Sequence, residues 1–332
     1  MKRGQTDLSL VVAVNKPEGM TSHDVVNRCR TIFGEKRVGH TGTLDPLASG
    51  VLPICIGPAT RLSTYLTANE KRYRVRVGFG FETDTDDREG APTARGTVPS
   101  KLFEDDFARA YLAGLIGEHD QVPPAYSAIK VNGRKAYERV RRGEDVQLEP
   151  RRITIMAAEL VRVGEDDMAR AFWDVDFAVS KGTYIRAIAR DMGRELGCPA
   201  HVEALERTRS GRIALDDCVS LESLASLKEQ AAIDPVRILG CRFAFADDIE
   251  KRVANGAPVD AAALRLYKPL PMVGDERICA CSTTLKPSDA APSQGEVVAL
   301  VAQNRLIALY AYDERDGLFR SKCGFAEGVY RG

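Results

Sequence analysis

Asp45 stands alone in its stretch of chain. It is the only carboxylate between Glu35 and Glu70, within Gly39-His40-Thr41-Gly42-Thr43-Leu44-Asp45-Pro46-Leu47-Ala48-Ser49-Gly50. Three glycines and one proline in these twelve residues argue against ordinary helix or strand. Pro46 biases Asp45 toward extended backbone. Leu44, Leu47, Ala48 and Val51 surround it with small or apolar side chains. An acid so placed is poised for reaction or needs a cationic partner. The alternative is a turn in which Asp45 caps a following helix, because Asp-Pro is a common helix start.

Other chemistries find less support. Glycoside hydrolysis needs a second carboxylate of equal standing, and none is evident. Ser49 and His40 lack the Gly-x-Ser-x-Gly elbow of a hydrolase. There is no P-loop, and Gly78-Phe79-Gly80 lies in a strand pattern rather than at a strand-to-helix turn. Asp84-Thr85-Asp86-Asp87 invites a calcium reading, but Arg88 and Glu89 stand where a ligand and a glycine belong. No metal or nucleotide cofactor is therefore expected. What remains is one acid with tyrosines and arginines in basic strands, a set that suits work on a nucleic-acid base. Phosphates need Lys or Arg, and a flipped base needs an aromatic platform. Tyr73 lies among Lys71, Arg72, Arg74 and Arg76; the competing reading is a core tyrosine on the inner face of its strand. Tyr184 and Arg186, two residues apart, would point the same way on an extended backbone.

The elements that must position these residues are readable in outline. Leu8–Val14 is valine-rich and predicts a strand, and Thr21 or Ser22 caps a helix carrying Val25, Val26, Cys29, Ile32 and Phe33 on one face. Val51–Gly57 predicts a buried strand and Pro58–Leu66 a helix. Arg72–Phe79 alternates basic and apolar residues, so an arginine row lies on one face. Helical spacing covers Phe103–Leu115; Ser127–Arg134 predicts a strand and turn, and Ala136–Arg142 a basic helix. Phe172–Val179 predicts a strand, and Ala187–Leu196 a helix stopped by Gly197. Strands and helices mix without βαβ alternation, which predicts an α+β fold. Beyond a boundary near 240–250, Asp248–Gly256 predicts a short helix and Val297–Val301 and Leu306–Tyr312 a hairpin. Residues 284–294 predict a loop.

Composition sets broad limits. The 332 residues suggest two domains, and 44% hydrophobic content is enough for a packed core. Lys and Arg number 47, equal to Asp and Glu. The charge is nevertheless uneven: residues 1–80 hold twelve basic against six acidic side chains, residues 81–120 four against ten, and residues 121–160 eight against five. A basic face is possible despite the neutral total. Eight scattered cysteines without a Cys-x-x-Cys pair read as reduced and mostly buried, which points to the cytoplasm. No apolar run is long enough to span a membrane, and the first residues lack a signal core.

The same motifs resemble a known family, the bacterial tRNA pseudouridine synthases of the TruB type. The likeness runs over residues 10–215 and includes Asn15–Asp24, Gly39–Leu52, Lys71-Arg72-Tyr73, Thr83–Asp86, Gln121–Lys130, Lys181–Arg186 and His201–Leu205. It implies the pseudouridine synthase fold, a curved mixed sheet with flanking helices, over residues 1–245. It implies a PUA-like RNA-binding domain, small and β-rich, over residues 246–332. The implied activity is that of an isomerase turning uridine into pseudouridine at position 55, in the T-loop of tRNA. Asp45 would be the catalytic aspartate, Tyr73 would stack on the flipped uracil, and Arg186 would pair with Asp45. Tyr184 would lie in the pocket, Leu205 would form an apolar wall, His40 would touch flipped nucleotides, and Lys16 would support the loop. The resemblance implies no cofactor, a tRNA partner held by T-loop and T-stem, no obligate protein partner, and a monomer. Two departures stand out: Asn15 where Asp is frequent, and Glu206 where an arginine is common, with Arg207 next to it. Rival readings are a related synthase acting on another RNA, and a tRNA-folding chaperone.

Overall fold

A computed structural model describes residues 6–67, 70–127, 129–131, 133–140, 142–144, 146–272 and 285–332. Its centre is a nine-stranded mixed sheet. Seven strands run in the spatial order Leu10–Lys16, Ala48–Ile56, Ala200–Ser210, Lys71–Phe79, Ala171–Val179, Arg151–Glu165 and Gly117–Gln121. Val38–His40 adds to Ala48–Ile56, and Ile213–Ala214 adds to Ala200–Ser210. All pairings in this sheet are antiparallel except one. Ala200–Ser210 runs parallel to Ala48–Ile56, matching Leu205 with Ala48 and Arg207 with Gly50. That pairing brings together, at the Asp45 loop, residues 157 positions apart in the chain.

Alternation along each strand decides what faces what. Tyr73, Val75, Val77 and Phe79 point to one face, where the helices Ser22–Phe33, Asp105–Gly114 and Ile185–Leu196 cover them in a single core. Trp173 is fully buried there, its indole N–H donating to the Leu102 carbonyl at 2.8 Å and its ring edge-on to Phe79 at 5.0 Å. Helix ends follow local chemistry. Thr21, not Ser22, caps Ser22–Phe33 in a capping box with Asp24, and Gly34 and Gly197 close two helices in the left-handed region.

The other face divides in two. At the Leu10–Lys16 end, Val11, Ala13, Val51 and Cys55 pack on the 3₁₀ turn Gly57–Leu62 and on a second, five-stranded sheet. That sheet holds Phe243–Phe245, Val297–Ala302, Arg305–Asp313, Leu318–Tyr330 and Val259–Asp260. Its first strand precedes the expected division at 245/246. Gln303 and Asn304 join its main hairpin with φ of 48° and 57°, the left-handed pair that matches strand twist. Buried Arg331 ties the chain end to Asp234 at 2.8 Å. At the far end the sheet meets solvent through Arg72, Arg74 and Arg76, paired with Glu70, Asp176 and Asp174.

Several expectations shift. Helix Phe103–Leu115 is a 3₁₀ turn, Ser100–Phe103, followed by helix Asp105–Gly114. Ser127–Arg134 yields only the two-residue strands Lys130–Val131 and Arg134–Lys135, with Ala128 and Asn132 outside the described residues. The basic helix spans Ala136–Val140; Arg141 lies outside the described residues, as do Cys279, Cys281 and Thr284. The six described cysteines are free, and four are buried. No helix among the described residues is long and apolar enough to cross a membrane.

Trp173 is the only tryptophan, so its fluorescence reports the main core. Phe79→Ala should lower the free energy of urea unfolding by about 3–5 kcal/mol, since a fully buried ring is removed. A loss below about 1 kcal/mol would mean that the face is not packed as described.

Candidate active site

The Asp45 loop is narrower than its composition implies. Gly39 and His40 belong to a strand, and the next strand begins at Ala48. Gly50 is tolerated in that strand with φ of +101°, because the Arg207 backbone lies against it. Only residues 41–47 are irregular, and a strand rather than a helix follows Pro46. Asp45 therefore caps no helix. Its own carbonyl accepts from the Ala48 N–H at 3.1 Å, which closes the turn.

Each residue from 42 to 46 is held from outside. The Arg207 guanidinium donates to the carbonyls of Gly42 at 3.0 Å, Thr43 at 3.3 Å and Val51 at 2.7 Å, bridging both ends of the loop. Ser22 brackets Leu44: its hydroxyl accepts from the Leu44 N–H at 2.8 Å and donates to the Leu44 carbonyl at 3.0 Å. Pro46 offers its carbonyl to the Gly19 N–H at 2.8 Å and to Lys16 Nζ at 3.3 Å. Lys16 also donates to the carbonyls of Pro17 and Met20 at 2.8 and 2.6 Å. Burial pushes the Lys16 amine down to about 8, against the pull of the Asp45 charge.

Asp45 itself is held by Arg186, Nη2 to Oδ2 at 2.8 Å. The arginine side chain is 5% exposed and the aspartate 34%, so the pair has one buried and one open member. Arg186 also contacts Asp87 at 3.4 Å and donates to the carbonyls of Thr85 at 2.8 Å and Tyr126 at 3.1 Å. Tyr184 does not share a strand with Arg186, because helix Ile185–Leu196 starts between them and Tyr184 is its extended N-cap residue. Gln121 fixes Tyr184 from the sheet edge, accepting from its N–H at 2.9 Å and donating to its carbonyl at 3.0 Å. Burial, then the nearby Asp45 charge, raises the Tyr184 hydroxyl's pKa, so it remains a donor.

The floor comes from neighbouring strands. Leu205 lies between Ala48 and Val75 in register, and Tyr73 lies opposite Arg207. Tyr73 and Leu205 are both buried in the main core. Lys71 reaches the loop as well: a Cβ built on Gly42 would lie 3.5 Å from both Lys71 and Arg207. His40 Nδ1 accepts from the Gly42 N–H at 3.3 Å. Its pKa is lowered by burial and then by the Arg207 charge.

The expected cationic surroundings of Tyr73 need correction. Strand alternation sends Arg72, Arg74 and Arg76 to the opposite face, where each has an acidic partner. Glu206 lies on that face too, opposite Arg74 in register, so the departure from the family arginine falls away from Asp45. Asp86 and Asp87 pair with Arg190 and Arg186. Sequence reasoning missed Arg207, Ser22, Asp87 and Gln121 as contributors to the site. Two adjacent hydroxyls at 21 and 22, where a cap needs one, were the available signal for Ser22.

Gly50→Ala would place a Cβ 2.3 Å from the Arg207 carbonyl oxygen, on backbone that L residues avoid. It should destabilise by at least about 2 kcal/mol in urea unfolding; a change under about 0.5 kcal/mol would contradict the close approach. For Lys16, the unfolded chain binds the proton more tightly, so the buried charge costs less stability as pH rises from about 8 toward 10.5. The stability of wild type minus that of Lys16→Met should therefore climb over this range; a flat difference would contradict a buried ammonium.

The chain is similar to known proteins in sequence and in fold. Residues 30–185 match the model of the TruB family pseudouridylate synthase N-terminal domain, and residues 186–237 match that of the tRNA pseudouridylate synthase B C-terminal domain. The chain is 43% identical over 291 residues to the tRNA pseudouridine synthase B of Mycobacterium tuberculosis, covering 88% of this chain and 91% of that one. It is 44% identical over 226 residues to that of Caldanaerobacter subterraneus, covering 68% and 76%. Among solved structures, a chain of a Cbf5–Nop10–Gar1 complex superposes with a TM-score of 0.66 at 23% identity, covering 97% of this chain and 86% of that one. At that identity the likeness speaks for the α+β pseudouridine synthase fold. On the sequence matches, the chain belongs to the TruB family of pseudouridylate synthases.

Proposed function

We propose that this chain converts uridine to pseudouridine at position 55, in the T-loop of tRNA, with Asp45 as its one reacting carboxylate. The observation that carries the reading is the Arg186–Asp45 pair at 2.8 Å, buried on the arginine side and open on the aspartate side. The names of the relatives, tRNA pseudouridine synthase B, supply the substrate class.

The chemistry asks little more of the protein. The bond from N1 of uracil to C1′ of the ribose breaks, the base turns, and C5 bonds to C1′. The proton on C5 leaves and N1 ends protonated, so the reaction is redox-neutral and needs no cofactor. Asp45 serves the glycosidic cleavage. Arg186 fixes the carboxylate at Oδ2, and the aspartate side chain stays 34% exposed. Tyr73 gives the extruded base a stacking face, Leu205 an apolar wall, and Tyr184 a hydroxyl donor; His40 meets flanking nucleotides. Extruding a base costs a few kcal/mol of stacking and pairing, which these contacts offset. Lys16 holds the loop. Residues 246–332, which carry four of the five strands of the second sheet, form a PUA-like RNA-binding unit. The enzyme works as a monomer in the cytoplasm, with tRNA as its only macromolecular partner.

The test is unmodified tRNA treated with this protein alone and mapped for pseudouridine. Conversion of the T-loop uridine is expected. Asp45→Asn should abolish conversion while binding of tRNA is retained, and Arg186→Lys should lower the single-turnover rate by at least about 100-fold through lost positioning. An unchanged T-loop uridine with wild type would overturn the substrate; conversion by Asp45→Asn would overturn the site.

A further inference from the structure

We infer that Arg190 and Asp86 form a second ion pair that positions Arg186, and through it Asp45. The inference rests on the site reading above and adds residues that do not touch Asp45.

Arg186 and Arg190 lie four residues apart in helix Ile185–Leu196, hence on one face. Both reach the same two segments. Arg186 donates to the carbonyls of Thr85 and Tyr126; Arg190 meets Asp86 at 3.1 Å and donates to the Val122 carbonyl at 2.8 Å. Residues 85–87 are thus read alternately: the Thr85 carbonyl and the Asp87 carboxylate face Arg186, while the Asp86 side chain turns to Arg190.

That division depends on the backbone at Asp86, which has a φ of +61°, a left-handed conformation unusual for a residue with a side chain. The turn is anchored from below: the Asp86 carbonyl accepts from the Val202 N–H at 3.1 Å, and the Arg88 N–H donates to the Val202 carbonyl at 2.9 Å. Asp86 and Arg190 are 9% and 8% exposed, so each charge depends on the other. Removing one leaves its partner buried without its counter-charge. Besides the Val122 carbonyl, Arg190 would retain Asp191 at 2.9 Å, a carboxylate 47% exposed. The pair therefore pins the turn that presents Thr85 and Asp87 to Arg186.

Asp86→Asn tests this without disturbing the turn, because asparagine accepts left-handed backbone. Arg190→Met removes the other member, and Arg190→Lys keeps the charge without the fork. Each is compared with wild type for single-turnover conversion at saturating enzyme, for tRNA Kd and for thermal unfolding. Asp86→Asn and Arg190→Met should each slow the single turnover about tenfold, with Kd within about twofold, since a small misplacement at the reacting carboxylate suffices. The double variant should be no slower than the worse single, as expected of two groups acting as one unit. Arg190→Lys should fall between. An unchanged single-turnover rate in folded Asp86→Asn overturns the inference even if its melting temperature drops, because the pair would then serve only the fold. Multiplicative losses in the double variant overturn it too. Should the site reading itself be wrong, wild type would make no pseudouridine, or Asp45→Asn would continue to make it.

Discussion

The site depends on one buried guanidinium. Arg186 is enclosed by the sheet, by the turn at 85–87 and by the segment ending at Tyr126. A charge so far from water must be met by acceptors, and it is met by two carboxylates and two carbonyls. Of the two carboxylates only Asp45 is open, at 34% exposure against 6% for Asp87. The arginine is thus fixed by groups that cannot follow a ligand, and it presents one carboxylate that can face one. The orientation of Asp45 is set by the fold itself, and such preorganisation is where much of an enzyme's rate advantage originates.

The loop around Asp45 follows the same logic with weaker bonds. Residues 41–47 have no ladder of their own, so each polar backbone group needs a partner from elsewhere. Arg207, Ser22, Gly19 and Lys16 supply them from three separate parts of the chain. The single parallel pairing of the central sheet makes this possible, because it places Arg207 beside Gly50 and Leu205 beside Ala48. An all-antiparallel arrangement of the same strands would reverse which end of 200–210 meets the loop. Topology and site are therefore one construction.

Much of this was legible in the residues, and the limits are physical. Local signals worked where local chemistry decides: the helix start at Thr21 or Ser22, the glycine stop at 197, and the alternating strand at 72–79. The lone acid was marked by the composition of its loop, and its pairing with Arg186 by motif likeness to a family; periodicity supplied neither. What failed depended on long-range geometry. The arginine row was readable from alternation, but only the pairing with Asp174 and Asp176 shows that acidic partners take up its charges away from Tyr73. Arg207 stands in the sequence only as the neighbour of Glu206, and the sheet pairing is what shows it buried against the Asp45 loop. Tyr184 and Arg186 looked extended because nothing in Gly182-Thr183-Tyr184 announces that a helix begins one residue later.

The central claim is that Asp45 is held by Arg186 in a preformed site that receives an extruded uridine. A crystal structure of this chain bound to a T-arm stem-loop tests it most directly. The expected result is a T-loop uridine turned out of its stack, its ribose at the Asp45 carboxylate and its base on Tyr73, with the Arg186–Asp45 contact still near 2.8 Å. An RNA docked with its loop away from residues 41–47, or an Asp45 released from Arg186 on binding, would contradict it.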